Sequence, residues 1–134
     1  MRENEMHPDY RNRINKVFRY IDENLDSDLS LHRIAAIASF SPFHFHRIFK
    51  TITGETLNDC VTRRRVEKSA SSLLHKKDMS ITELSFQNGF NNNSSFTRAF
   101  KRFYGISPTE FRKQNSNRFS KIRQLESKKG QAYP

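Results

Sequence analysis

The apolar positions of this chain fall mostly at helical spacing, and the few glycines and prolines fall between the periodic stretches. Ile14, Val17, Phe18 and Ile21 are three and four residues apart and form one stripe. Pro8 suits a first helical turn, where its missing N–H would have no partner anyway, so a first helix is predicted over about 8–24. "DSDLS" breaks the pattern. Ser30 then offers a cap for a short helix holding Leu31, Ile34, Ala35 and Ala38. Ser41-Pro42 pairs a cap with a proline at the first helical position; the helix it opens runs to about Thr53, where Gly54 supplies a stop. Thr56 and Asp59 make a shortened capping pair ahead of a long helix over about 57–75. Ser80 and Glu83 form a capping box for a short helix over about 81–88, followed by Gly89. A further helix is predicted from about Asn93 to Tyr104, stopped by Gly105, and Ser107-Pro108-Thr109-Glu110 opens a last short one. The expected fold class is all-α, with about seven helices.

Part of this pattern occurs twice. Ser30, Leu31, Ile34 and Phe40 recur fifty positions later as Ser80, Ile81, Leu84 and Phe90. One residue is then inserted in the turn, after which Phe45, Arg47, Phe49, Lys50 and Gly54 recur as Phe96, Arg98, Phe100, Lys101 and Gly105. Each copy reads as a short helix, a tight turn, a second helix and a glycine stop, which is a helix-turn-helix layout. The predicted organisation is a first unit over 8–55, a linking helix over 56–76 and a second unit over 77–114. The remaining stretch, 115–134, is polar and basic without a clear period, and reads as a tail or the start of a linker.

The second helix of each copy carries two stripes. Phe45, Ile48, Phe49 and Ile52 form a core stripe, while Phe43, His46, Arg47 and Lys50 share a different face. In the other copy Phe96, Ala99, Phe100 and Phe103 form the core stripe, and Ser94, Thr97, Arg98 and Lys101 the second. Packing explains why the core stripes agree in character. It does not explain why Arg and Lys recur on the other face while their neighbours change.

Charge gives that face a meaning. The 134 residues carry a formal net charge of +10, and a small domain this basic usually meets a polyanion. An α-helix fits the major groove of B-DNA, where an arginine forks onto guanine O6 and N7 and where Ser, Thr, Asn and His bond base edges or phosphates. Phe43 suits a thymine methyl or a sugar. "TRRRVEK" at 62–68 reads equally as a phosphate contact or as a solvated helix face.

The residues also resemble a known family. "LSLHRIAAIASFSPFHFHRIFKTITGETL" and "ITELSFQNGFNNNSSFTRAFKRFYGISPTEFR" are similar to the DNA-binding domain of AraC/XylS-type bacterial transcriptional regulators, over about residues 10–114. The more specific signature is in the second stretch: G-F, then F-x-R-x-F-K, then G-x-S-P-x-x-[FY]-R. The resemblance implies seven helices, with two helix-turn-helix subdomains joined by a long central helix, each putting its second helix in the major groove. Carried over by position, it implies that Phe43, His46 and Arg47, then Asn93, Ser94, Thr97 and Arg98 read the DNA. Lys50 and Lys101 join them from the charge pattern. Ser39 stands where the family commonly has glycine, which predicts a slightly different backbone in the first turn. His46 stands where Gln or a similar residue is common, which leaves the base it reads open.

Other classes are less well supported. His44 and His46 stand two apart on a helix and point about 200° from one another, so they do not share a metal ion. No cofactor, phosphate loop or catalytic constellation is expected, and an enzyme is not. No apolar run approaches the ~18 residues of a membrane span, and no secretory h-region opens the chain. The lone Cys60 rules out an internal disulfide and reads as a core residue of an intracellular protein, cytoplasmic and nucleoid-associated. The rival readings are a non-specific nucleoid or RNA-binding protein and a protein-interaction module. The favoured expectation is a monomeric DNA-binding domain of an activator that recruits RNA polymerase, cut from a longer regulator with a further effector domain. A linking helix of about 28 Å would hold the reading helices near one DNA turn apart, ~34 Å.

Overall fold

The computed structural model describes residues 8–115. They form seven helices: α1 (Pro8–Glu23), α2 (Leu31–Ile37), α3 (Pro42–Thr53), α4 (Leu57–His75), α5 (Ile81–Gln87), α6 (Asn93–Tyr104) and α7 (Pro108–Asn115). The expected basic tail lies outside the described residues, apart from Asn115, which ends α7 as a buried residue.

Helix starts are set by short-range hydrogen bonds. Ser30 Oγ accepts from the Arg33 amide at 3.3 Å, Ser41 Oγ from His44 at 3.2 Å and Ser80 Oγ from Glu83 at 3.1 Å. Thr56 Oγ1 accepts from Asp59 and Ser107 Oγ from Glu110, both at 3.1 Å. The cap of α6 is Asn92, whose Oδ1 accepts from the Ser95 amide at 2.8 Å, a role the sequence reading did not assign. A capping side chain of this kind contributes about 1 kcal/mol. Both α3 and α6 stop at a left-handed glycine, Gly54 with φ 80° and Gly105 with φ 79°. There a β-carbon would meet open space, so the backbone conformation is what favours glycine.

The chain divides between Val61 and Thr62 into two compact units, each with its own apolar core. In the first, Ile14, Val17, Phe18 and Ile21 of α1 pack with Ile34 and Ala35 of α2 and Phe45, Ile48 and Phe49 of α3. Leu57, Cys60 and Val61 from the start of α4 complete that core. In the second, Val66, Ala70, Leu73 and Leu74 of α4 pack with Leu84, Phe96, Phe100 and Phe111. Each unit is a helix pair, α2 with α3 or α5 with α6, braced by one further helix; α1 braces α3 and α7 braces α6.

The tight turn repeats bond for bond. In unit one the Ala38 amide donates to Ile34 O, Ser39 to Ala36 O and Phe40 to Ala35 O. In unit two Asn88 donates to Leu84 O, Gly89 to Phe86 O and Phe90 to Ser85 O. The last two bonds of each set are a Schellman closure, which needs a left-handed residue. Gly89 supplies it with φ 94° and Ser39 with φ 60°. The slightly different backbone expected of Ser39 is present in the dihedrals: Ala38 has φ −82° and ψ −2° where Asn88 has φ −101° and ψ 19°, while the bonding pattern is kept and a residue with a β-carbon takes the left-handed position.

An arginine accounts for its tolerance. Arg13 of α1 donates from Nε to Ala38 O at 2.6 Å and from Nη2 to Ser39 O. Its guanidinium carbon lies 3.7 Å from the centre of the Phe40 ring, and its Nη1 bonds Asp9 Oδ2 at 3.3 Å. Among the described residues, no side chain donates to the carbonyls of Asn88 or Gly89 in the other turn.

Candidate nucleic-acid interface

On α3 the stripes separate as their spacing requires. Phe45, Ile48 and Phe49 are buried, and Ile52 packs at the edge of the core. Phe43, His46, Arg47 and Lys50 are all exposed. On α6, Phe96 and Phe100 are buried, with Ala99 and Phe103 packed against them. Asn93, Ser94, Arg98 and Lys101 are exposed, and Thr97 is half-buried. The four outward residues from α3 thus share one face, and the five from α6 another.

The charge on these faces is one-sided. Neither α3 nor α6 contains an acidic residue. No carboxylate among the described residues pairs with Arg47, Lys50, Arg98 or Lys101. Uncompensated cations on a helix face raise the local potential toward anions.

Phe43 is 73% exposed, unusual for so large an apolar side chain. The Arg47 guanidinium carbon lies 6.0 Å from its ring centre, at the outer edge of cation–π range. The neighbouring His44 turns the other way: its ring packs edge-on against Phe40 at 5.1 Å and Tyr10 at 6.0 Å. His44 therefore belongs to the bracing contact and His46 to the exposed face.

The "TRRRVEK" segment resolves against a solvated face. Arg64 is only 4% exposed and Glu67 is buried with Oε1 3.2 Å from Arg63 Nη1. Arg63 and Arg65 are half-buried, leaving Lys68 as the exposed cation of the run. Sequence reading also missed Phe86, 54% exposed on α5 at the position equivalent to Ala36. It missed Arg112 of α7 as well, which donates from Nε to Leu73 O at 2.9 Å and from Nη2 to Lys76 O at 3.2 Å, capping the end of α4.

This geometry has close relatives. A family described as a helix-turn-helix domain matches residues 34–114. Over 107 residues the chain is 33% identical to the probable transcription factor PqrA of Proteus vulgaris, covering 78% of this chain and 87% of that one. The chain belongs to the AraC/XylS family of transcriptional regulators. It is similar to the Tn10 TetD protein of Escherichia coli, 37% identical over 101 residues, 75% of this chain and 72% of that one. Among solved structures, the C-terminal domain of AraT, a response regulator from Geobacillus stearothermophilus, matches with a TM-score of 0.70 at 28% identity, over 82% of this chain and 88% of that one. The DNA-binding domain of AdpA, a global transcriptional factor solved with a target DNA, matches with a TM-score of 0.71 at 27% identity, over 79% and 95%. Some family members are much longer: the chain spans 33% of the regulatory protein PocR of Salmonella typhimurium. An AraC-type domain is a DNA-binding domain of transcriptional regulators and not an enzyme. No helix among the described residues is long and apolar enough to cross a membrane.

Proposed function

We propose that this AraC-type domain binds one asymmetric double-stranded DNA site as a monomer, with α3 and α6 in successive major-groove segments. In this reading Arg47 and Arg98 fork onto guanines, and His46, Asn93, Ser94 and Thr97 bond base edges or phosphates. Phe43 makes the apolar contact of the first half-site. Lys50 and Lys101 bind phosphate and release counterions, which adds affinity without sequence preference.

One observation carries the reading. Two exposed helix faces, each free of carboxylates, keep Arg and Lys at matching positions and differ at Phe43/Ser94 and His46/Thr97. Two copies of one reading head with unlike readers suit two unlike half-sites. The AdpA domain with its target DNA gives the proposal a relative that binds DNA through the same fold. In this reading the domain is one part of a longer regulator, as the greater length of PocR allows, joined to an effector domain and acting as an activator through RNA polymerase.

The test is to recover a site by selection from random DNA and then insert about half a helical turn, ~5 base pairs, between its half-sites. Affinity should fall steeply, because the second head then faces the wrong side of the duplex. Unchanged affinity would overturn the two-groove reading. Equal competition by random duplex or double-stranded RNA would favour the non-specific reading instead, since a helix does not enter the deep, narrow major groove of A-form RNA.

A further inference from the structure

We propose that Phe43 and Arg47 act together as a reader of a 5-methylpyrimidine next to a guanine, so that thymine and 5-methylcytosine are both accepted at that step. This rests on the DNA-reading role proposed for α3 and adds to it the chemistry of one base step and a sensitivity to cytosine methylation.

The geometry begins with the exposed ring. Phe43 is 73% exposed on a face whose other members, His46, Arg47 and Lys50, are polar. Arg47 stands one turn on, with the guanidinium carbon 6.0 Å from the ring centre. An apolar plate and a planar double donor thus stand side by side at the outward surface of one helix. Residues four apart rise about 6 Å along a helix, within reach of two neighbouring base pairs about 3.4 Å apart.

In the major groove the chemistry that fits this pair is restricted. The fork takes guanine O6 and N7, and the apolar group that bases display in that groove is the C5-methyl of thymine. Cytosine displays an N4 amine and no methyl, so a phenyl ring gains nothing from it. Cytosine methylated at C5 presents the same apolar group in nearly the same place as thymine. The second head differs: Ser94 stands where Phe43 does, and its hydroxyl seeks a hydrogen bond. Methyl sensitivity should therefore be confined to the half-site read by α3, with the α6 half-site as an internal control.

The experiment uses a site obtained by selection, with the guanine read by Arg47 located by the loss of preference in Arg47→Ala. Duplexes carrying thymine, deoxyuridine, cytosine or 5-methylcytosine at each neighbouring pyrimidine are titrated with wild type and with Phe43→Ala by fluorescence anisotropy. Phe43 is exposed, so the variant keeps its core. For wild type, removing the methyl at one such position should weaken binding about fourfold, from thymine to deoxyuridine and from 5-methylcytosine to cytosine alike. Phe43→Ala should bind the members of each pair equally. Sequence-specific wild-type binding with no methyl effect at any of these positions would overturn this inference and leave the DNA-reading role standing. A methyl effect that persists in Phe43→Ala would also overturn it, since another group would then be the reader. No preference over random duplex would overturn the underlying role itself.

Discussion

The two helix-turn-helix units make the same turn with different residues. In unit two a glycine takes the left-handed position at little cost. In unit one Ser39 takes it, and an L-residue with a β-carbon is disfavoured there by roughly 1–2 kcal/mol. The compensation comes from the bracing helix, where Arg13 binds the carbonyls of Ala38 and Ser39 and lies on Phe40. The brace of unit two also sends out an arginine, Arg112, but to the end of α4 rather than into the turn. One bonding pattern is thus reached locally in one copy and through a contact 25 to 26 positions away in the other.

The largest effects should test whether the units are separate. Phe45→Ala and Phe96→Ala each remove a fully buried ring, at about 3–5 kcal/mol. Amide exchange should show protection falling mainly in the unit that holds the substitution. Equal losses throughout would mean that the two cores open together.

Next come the residues proposed to read the DNA. Arg47→Ala and Arg98→Ala should each cost about 1–3 kcal/mol of specific binding and relax preference at one base pair, at different half-sites. An equal loss on specific and random DNA would make either arginine a phosphate contact.

The turn itself gives a smaller, more diagnostic effect. Ser39→Gly should stabilise unit one by about 1 kcal/mol and Gly89→Ser should destabilise unit two by about 1–2 kcal/mol. Arg13→Ala should cost about 1–2 kcal/mol in wild type and less in the Ser39→Gly background. Additivity in thermal melts of this cycle would mean that Arg13 does not compensate the serine.

The smallest change belongs to the lysines. Lys50→Ala and Lys101→Ala should weaken binding to all sequences alike and each reduce the salt slope by about one. A change in base preference would move them into the reading set.

The features legible in the sequence were those set by near neighbours. Ser30, Ser41, Thr56, Ser80 and Ser107 each bond an amide three residues on, so their spacing announces the helix start. The alternation of buried and outward positions along α3 and α6 follows from helical period alone, and the repeat drew attention to both. What stayed hidden depends on distant partners. Arg13 and Arg112 look like surface cations until their carbonyls come within reach. Arg64 and Glu67 look solvated because charge usually is, yet α4 buries both. Ser39 marked the slight backbone difference of the first turn, but the residue type did not show that it takes a left-handed φ. Asn92 was passed over because three consecutive asparagines offer the same cap, and only the backbone selects one.

The burial of Cys60 has a practical consequence. It is the chain's single cysteine, 0% exposed within the core of unit one, and unit two contains none. A thiol-specific reagent reaches it only when that core opens, so its labelling rate times the opening of one half of the molecule without any engineered probe. A ligand that binds only the closed form slows such a clock in proportion to its occupancy. Oligonucleotides carrying one half-site or the other can then be ranked by how long they keep the sulfur dark.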